Sequence, residues 1–233
     1  MDQVALITGA GSGIGLELCR ALLTDGYTVV ACPHSAGSPG LASLSETAGE
    51  NLHVVPLDVT DEDSITSAVR EVSSKVERID LLFNNGAVYP SKADGLNALD
   101  PSSLLHAFDV NTIGPLRVIK ACLPLLRRGR AKRLIQITSL MGSIADNSSG
   151  GSYAYRLSKC ALNMAVRNLA HELGSEGFIA LAIHPGWVKT KMGGAAAPLD
   201  LEPAVQDILR TALGSGAAEN GSFKGPGGAS LPY

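Results

Sequence analysis

The stretch VALITGAGSGIG, residues 4–15, decides the fold. Its first part, VALIT (4–8), is an apolar, β-branched run of the kind that forms a buried strand. TGAGSGIG (8–15) follows as a glycine-rich turn, and GLELCRALLTDG (15–26) carries apolar positions at helical spacing up to Gly26. A strand that feeds a glycine turn and then a helix opens a βαβ unit. Gly9, Gly13 and Gly15, with Ser12 and Ile14 between them, permit a tight turn, close approach of a pyrophosphate and close packing of helix on sheet. The helix N-terminus adds unpaired N–H groups and the positive end of its dipole. The spacing is Gly-x-x-x-Gly-x-Gly, wider than the usual dinucleotide fingerprint, and an ordinary βα turn is the alternative reading.

The same alternation continues outward. YTVVAC (27–32), LHVVPLDV (52–59), IDLLFNN (79–85), KRLIQITS (132–139) and FIALAIHPG (178–186) read as further strands. Helical patterns lie between them: TDEDSITSAVREVSSKV (60–76), with a capping residue and an acidic first turn, and a long helix over 102–128 with Pro115 as a kink point. A further helix carries YAYRLSK (153–159) and ends near Gly174. The tail 220–233 has room for one more short strand. The expected fold is α/β: a doubly wound, mostly parallel sheet with helices on both faces, in a single domain over 1–233. The small-residue stretch GGAAAP (193–198) suggests a lid near 191–205.

Composition narrows the function classes. The chain has 233 residues, 45% hydrophobic and 18% charged, which suits one soluble globular domain. A net charge of -3 gives no electrostatic reason for nucleic acid or an anionic membrane as partner. Cys19, Cys32, Cys122 and Cys160 lack metal-ligand spacing, so no metal site is expected, and they read as free, buried thiols of a reducing compartment. MDQVALITG has no basic n-region and no long apolar run, so a cytoplasmic location is expected.

The candidate chemistry lies at strand ends. Past the second strand a carboxylate would hold a ribose 2′-hydroxyl, and here Pro33, His34 and Ser35 stand instead. The absent carboxylate leans toward NADP over NAD; His34 reads either as a partial cation or as a solvated loop residue. Asp58, followed by Val59, reads as an acceptor for an adenine amino group or as an Asx cap of the next helix. NNGA (84–87) offers Asn85, Gly86 and Ala87 for close backbone approach to a ribose, or is simply a turn. Tyr155 and Lys159 share a helix face at i and i+4. A nearby ammonium would draw the tyrosine ionisation down toward working pH. Ser139 can bond a carbonyl oxygen. Asn111 either holds a water that relays protons to Lys159 or bonds neighbouring backbone.

Taken together, these residues resemble the short-chain dehydrogenase/reductase family, through TGAGSGIG, Asp58, NNGA, Asn111, Ser139, Tyr155 with Lys159, and HPGWVKT (184–190). DVNTIGPLRVIKACLPLL (109–126), SLMGSI (139–144), YAYRLSKCALN (153–163) and HPGWVKTKMGG (184–194) look like its C-factor and sniffer-like carbonyl reductase branch. The resemblance implies a Rossmann-type fold and reversible hydride transfer between a nicotinamide cofactor and a small ketone, aldehyde or alcohol. It makes Tyr155 the general acid/base, Lys159 its partner and a ribose ligand, Ser139 the carbonyl-orienting group, and Asn111 support for a water relay. It assigns Pro185, Gly186, Val188 and Thr190 to the nicotinamide, and it implies a homodimer or homotetramer through the helices 102–128 and 153–173. A nucleotide-binding signalling or regulatory protein of the C-factor type is the rival expectation. The family's Asn-Asn-Ala-Gly reads Asn-Asn-Gly-Ala here, an inversion expected to disturb the backbone near the ribose. The loop ADNSSGGS (145–152) would border the substrate mouth, and the short stretch after Gly186 points to an open site for small or flat apolar carbonyls.

Overall fold

Strands that are apolar at nearly every position need cover on both faces. The computed structural model, which describes residues 3–90 and 95–233, supplies it. Met1 and Asp2 of the N-terminal stretch, and 91–94 inside the expected single-domain span, lie outside the described residues. Seven strands form one parallel sheet: β1 (Val4–Thr8), β2 (Thr28–Cys32), β3 (Leu52–Val54), β4 (Leu81–Asn84), β5 (Arg133–Ile137), β6 (Ile179–Ile183) and β7 (Phe223–Lys224). Their order is β3-β2-β1-β4-β5-β6-β7, a doubly wound Rossmann-type sheet whose direction of winding reverses beside β1. The helices are α1 (Gly13–Thr24), α2 (Pro39–Ala48), α3 (Glu62–Lys75), α4 (Pro101–Phe108), α5 (Gly114–Arg128), α6 (Tyr153–Leu173) and α7 (Leu201–Gly214).

The side-chain period of two splits each strand between two cores. Leu6, Val30, Leu82 and Leu134 pack with Ile65, Val118 and Val166 of α3, α5 and α6. Ala5, Ile7, Val29, Phe83, Ile135 and Leu181 pack on the other face with Leu18, Leu41 and Ile208 of α1, α2 and α7. Fully burying a side chain of this size stabilises by roughly 1.5–3 kcal/mol, so the two layers carry the fold.

Several elements differ from expectation. The strand over 52–59 is regular only to Val54, although Val55 and Leu57 still donate to Ala31 and Pro33 on the β2 side; Pro56 between them turns its nitrogen off the sheet edge, where no ladder bond is lost. The helix over 102–128 is interrupted by a π turn, Asp109–Ile113. Pro115 falls just past that turn, in a run whose backbone stays helical through Ile113 and Gly114, so its missing amide and the π turn mark the same irregularity. The short helix α2 was not expected; Ser38 caps it by accepting from Leu41 N, with Pro39 opening it. The tail strand is present as β7. Cys19, Cys32 and Cys122 are buried, and burial pushes Cys19 and Cys122 up to about 12, whereas Cys160 is only half-buried, against expectation. Among the described residues no helix is long and apolar enough to cross a membrane.

At the amino end of the sheet, Asp80 is fully buried. Its carboxylate accepts from Val4 N (2.9 Å), Arg130 N (2.6 Å) and Arg78 Nε (3.2 Å), tying β1, β4 and the approach to β5 together. Asp80→Ala strands these donors and should destabilise the chain by about 3–5 kcal/mol. Urea denaturation would show this as a lower midpoint at unchanged slope. A loss below about 1 kcal/mol would show that Asp80 is not the tie described.

Candidate active site

All the candidate residues gather on one rim, past the carboxyl ends of the strands. Gly9 to Gly15 follow β1, His34 follows β2, Asp58 and Val59 lie beyond β3, Asn85 to Ala87 follow β4, Ser139 follows β5, and Pro185 to Thr190 follow β6. Asn111 comes from the π turn, and Tyr155 and Lys159 from α6. An open α/β sheet forms its crevice at this rim, where the winding reverses.

The glycine turn is shaped by contact. Gly9 and Gly13 have φ of +63° and +53°, which favours glycine at both. A Cβ on Gly9 would lie 2.6 Å from Gly86 Cα, and one on Gly15 2.3 Å from Gly9 O, so both positions exclude side chains. A Cβ on Gly13 would meet Thr190 Cγ2 at 3.4 Å, an ordinary contact, so the first turn of α1 faces the loop after β6 and the positive φ rather than crowding favours glycine there. Ser12 is exposed and makes no side-chain cap bond, leaving the first amides of α1 to the crevice; Ile14 is half-buried behind it. Asn85 Nδ2 donates to Thr8 O (3.1 Å) and Gly9 O (3.2 Å), and Thr8 Oγ1 accepts from the amides of Asn85 and Gly86. Gly86 does not have positive φ, and a Cβ there would meet nothing nearer than Gly9 N at 3.4 Å. The backbone at Gly86 is thus one that the family's alanine could adopt as well.

The two readings of Asp58 separate here. Asp58 Oδ1 accepts from Thr60 N (2.9 Å) and Thr60 Oγ1 (2.7 Å), bonds that hold its carboxyl below the usual range. The cap of α3 is Asp61, which accepts from Asp63 N, so Asp58 does not serve that end. Asp58 Oδ2 faces His34 Nδ1 at 3.8 Å, and His34 is otherwise exposed. Val59 packs against Gly114 at the start of α5, with its carbonyl toward Arg117.

The polar set on α6 is buried. Tyr155 lies beside Ser139, whose hydroxyl oxygen accepts from Met141 N at 3.2 Å. Lys159 Nζ donates to Ile137 O (2.9 Å) and lies 5.8 Å from the Tyr155 ring centre. Burial pushes Tyr155 up to about 12, against the downward pull of the Ser139 hydroxyl, and pushes Lys159 down to about 7. The expected lowering of Tyr155 by Lys159 is therefore absent here. The same desolvation that raises the phenol weakens the ammonium meant to oppose it. Asn111 is fully buried; its amide donates to Val88 O (2.9 Å) and Ser158 Oγ (3.0 Å), and its oxygen accepts from Val88 N (2.8 Å). Of its two readings, the side chain shows the bond to neighbouring backbone.

The loop after β6 is tightly stapled. Gly186 has φ of +83°, and a Cβ there would lie 2.3 Å from Leu199 Cδ1. Val188 is buried and bridges Leu199, Thr190 Oγ1 accepts from Gly193 N (2.9 Å), and Trp187 Nε1 donates to Gly193 O (2.8 Å). Pro185 joins β6 to this loop. Residues 201–205 of the expected lid are the first turn of α7, with Ala204 and Val205 buried. Sequence reasoning overlooked Thr8, whose hydroxyl joins β1 to β4, and Tyr89, whose ring stacks on Tyr155 with centres 4.2 Å apart. The threonine was visible inside TGAGSGIG; no spacing rule marked the tyrosine.

The family described as short chain dehydrogenase matches residues 3–198. C-signal of Myxococcus xanthus is 43% identical over 155 residues, covering 66% of this chain and 93% of that protein. The solved carbonyl reductase Sniffer of D. melanogaster superimposes with a TM-score of 0.94 at 32% identity over the full length of both chains. The NADPH-bound carbonyl reductase from chicken fatty liver gives a TM-score of 0.91 at 30% identity, over 100% of this chain and 99% of that one. With the glycine turn, Ser139, Tyr155 and the buried Lys159 on one rim, the chain belongs to the short-chain dehydrogenase/reductase family.

Proposed function

We propose that the chain reduces small ketones and aldehydes, reversibly, with NADP(H) as the hydride carrier and NAD(H) as the poorer alternative. The observation that carries this reading is the gathering of Ser139, Tyr155 and Lys159, all buried, beside the glycine turn, with Lys159 one helical turn beyond Tyr155. The residues fit a dinucleotide: α1 leaves its first amides uncapped, side chains are excluded by contact at Gly9 and Gly15, and positive φ favours glycine at Gly13. Pro185, Gly186, Val188 and Thr190 would border the nicotinamide, Asn85 to Ala87 a ribose, and Asp58 with Val59 the adenine. The end of β2 carries no carboxylate to repel a 2′-phosphate, and His34 offers a nitrogen to it. The bound nicotinamide supplies the hydride.

The chain's own groups handle position and proton. Ser139 and Tyr155 hydroxyls converge on the carbonyl oxygen and hold the carbonyl for attack at carbon. Tyr155 gives its proton to that oxygen as the C–H bond forms, leaving a phenolate and an alcohol. A phenol held at about 12 is protonated throughout the neutral range and so is available as the acid of the reducing step. The charge of Lys159 supports the phenolate once formed, and its ammonium would also hold ribose hydroxyls. Asn111 fixes the chain at Val88 beneath this set. Exposed Ile144 and Trp187 suit small or flat apolar substrates at the mouth. A homodimer or homotetramer belongs to the same reading, with exposed Leu105, Leu116 and Met164 on α4, α5 and α6 as its contacts.

Turnover of NADPH with a panel of small ketones and aldehydes tests the reading. Tyr155→Phe should lower kcat by roughly 10²–10⁴-fold while NADPH binding, read by fluorescence, is kept. A variant with undiminished kcat would overturn the mechanism. Tight NADPH binding by the wild type with no turnover on any carbonyl would favour the regulatory reading that the C-signal relative invites.

Cofactor choice has its own test. His34→Glu puts a carboxylate at the end of β2 and should weaken NADPH relative to NADH by about tenfold or more. An unchanged ratio of the two dissociation constants would remove His34 from the cofactor site.

Lys159 also sets a pH dependence of stability. Its ordinary value of 10.5 falls to about 7 on folding. Between those values the unfolded chain binds the extra proton, so this group's penalty shrinks as pH rises from about 7 toward 10.5. Lys159→Met should therefore stabilise the protein at neutral pH and flatten the rise in stability between about pH 7 and 9. Parallel urea midpoints for wild type and variant across that range would contradict this.

A further inference from the structure

Tyr89 follows β4, outside every motif that marks the site. Its ring lies on that of Tyr155 with centres 4.2 Å apart and planes 15° apart, a stacked pair. Its hydroxyl is bonded to Ser152 Oγ at 2.8 Å and reaches Met141 Sδ at 3.8 Å. Ser152 occupies the N-cap of α6, yet its hydroxyl makes no cap bond there. It also has φ 47° and ψ 45°, a left-handed conformation that is uncommon for serine. A buried, strained serine whose hydroxyl meets Tyr89 rather than its own helix end marks the clamp as built.

We propose that Tyr89 is a positioning residue: stacked on one face of Tyr155 and fixed by Ser152, it sets the plane of the Tyr155 ring and leaves only the hydroxyl edge for a carbonyl to approach. The inference rests on the reductase reading for its kinetic test. The groups that face Tyr155 are Tyr89 from the segment after β4, Ser139 from the segment after β5, and Lys159 from α6, its Nζ 5.8 Å from the ring centre. Removing the Tyr89 ring opens one face of Tyr155 to water. The burial that holds Tyr155 near 12 is then relieved, and its ionisation moves down toward the ordinary 10.0.

The experiment compares wild type with Tyr89→Phe, Tyr89→Leu, Tyr89→Ala and Ser152→Ala, each first shown to bind NADPH with wild-type affinity. With benzaldehyde as substrate, Tyr89→Ala should lower kcat by about tenfold to a hundredfold with little change in the KM for NADPH. Tyr89→Phe, which keeps the stack, should stay within about threefold, and Ser152→Ala should fall between them. Reduction requires the protonated phenol, so its alkaline loss should move to lower pH in Tyr89→Ala. Should Tyr89→Ala fail to fold, Tyr89→Leu keeps the bulk without the ring and should show the same loss. Unchanged kcat and pH profile in both variants would overturn the proposal, as would Tyr89→Phe being as impaired as Tyr89→Ala. If the wild type reduces no carbonyl, the reductase reading fails instead. The stack is then tested by phenolate absorbance, comparing Tyr89→Ala with and without Tyr155→Phe. A Tyr155 phenolate that appears at lower pH than in wild type supports the stack, and an unmoved one refutes it.

Discussion

The structure depends on one contact, the passage of the β1–α1 turn across the end of β4. Gly9 lies so close to Gly86, and Gly15 so close to the carbonyl of Gly9, that neither Gly9 nor Gly15 can carry a side chain. Asn85 closes the contact by donating to the carbonyls of Thr8 and Gly9, and Thr8 returns its hydroxyl to two amides of the β4 segment. The N-terminus of α1 is thereby held at the point where the sheet reverses its winding. Without that approach, the partial charges at the start of α1 would point away from the crevice formed by β1 and β4.

Burial then decides the electrostatics of the rim. Tyr155 and Lys159 come from a helix packed face-on against the sheet, so both lose water together. Desolvation favours the neutral form of each, which raises the phenol and lowers the ammonium. A tyrosine in this setting is a proton donor that keeps its proton until a developing oxyanion takes it. The usual picture of a lysine acting on a tyrosine from one turn away needs charge on the lysine, and burial opposes that charge. The Ser139 hydroxyl is the local influence pulling the tyrosine down.

Most of the sheet was legible because its strands are apolar throughout and its helices amphipathic. What was not legible followed from local exceptions. The third strand is regular only over Leu52–Val54 although LHVVPLDV continues the apolar pattern and Val55 and Leu57 still bond the β2 side. The π turn at Asp109–Ile113 is invisible to a periodicity argument, since inserting one residue per turn shifts the face without changing composition. SAGSPG hid a helix start because Ser38 and Pro39 are turn residues and helix-opening residues alike. At the site, residue types named the candidates and their order, because Tyr155, Lys159, Ser139 and the glycines are needed for reasons of chemistry or backbone conformation. The states of those groups were not legible, because a pKa depends on burial that no spacing reports. Tyr89 was missed for the same reason: stacking across the chain leaves no trace in local sequence.

The layer beneath the site is unusually polar for a sheet interior. Asn84 and Gln136 are register neighbours on β4 and β5, both buried. Asn84 donates to Pro115 O, while its oxygen and both polar atoms of Gln136 find no protein partner among the described residues. Next to them Thr138 bonds Asn163, Asn111 bonds Ser158, and Lys159 bonds the carbonyl of Ile137. An unsatisfied buried polar group costs about 1–3 kcal/mol, so aliphatic residues here would make a more stable protein. The opposite face of β4 and β5 shows this alternative, with Phe83 and Ile135 in a closed apolar core. Both faces keep a closed apolar core toward the amino ends of the strands, and the polar layer is confined to the carboxyl end of one of them. The carboxyl end beneath α5 and α6 is left polar, and the buried charge of Lys159 can be held there. A chain selected for stability alone would not spend its interior this way, and the asymmetry between the two faces locates the working end of the fold independently of any single side chain.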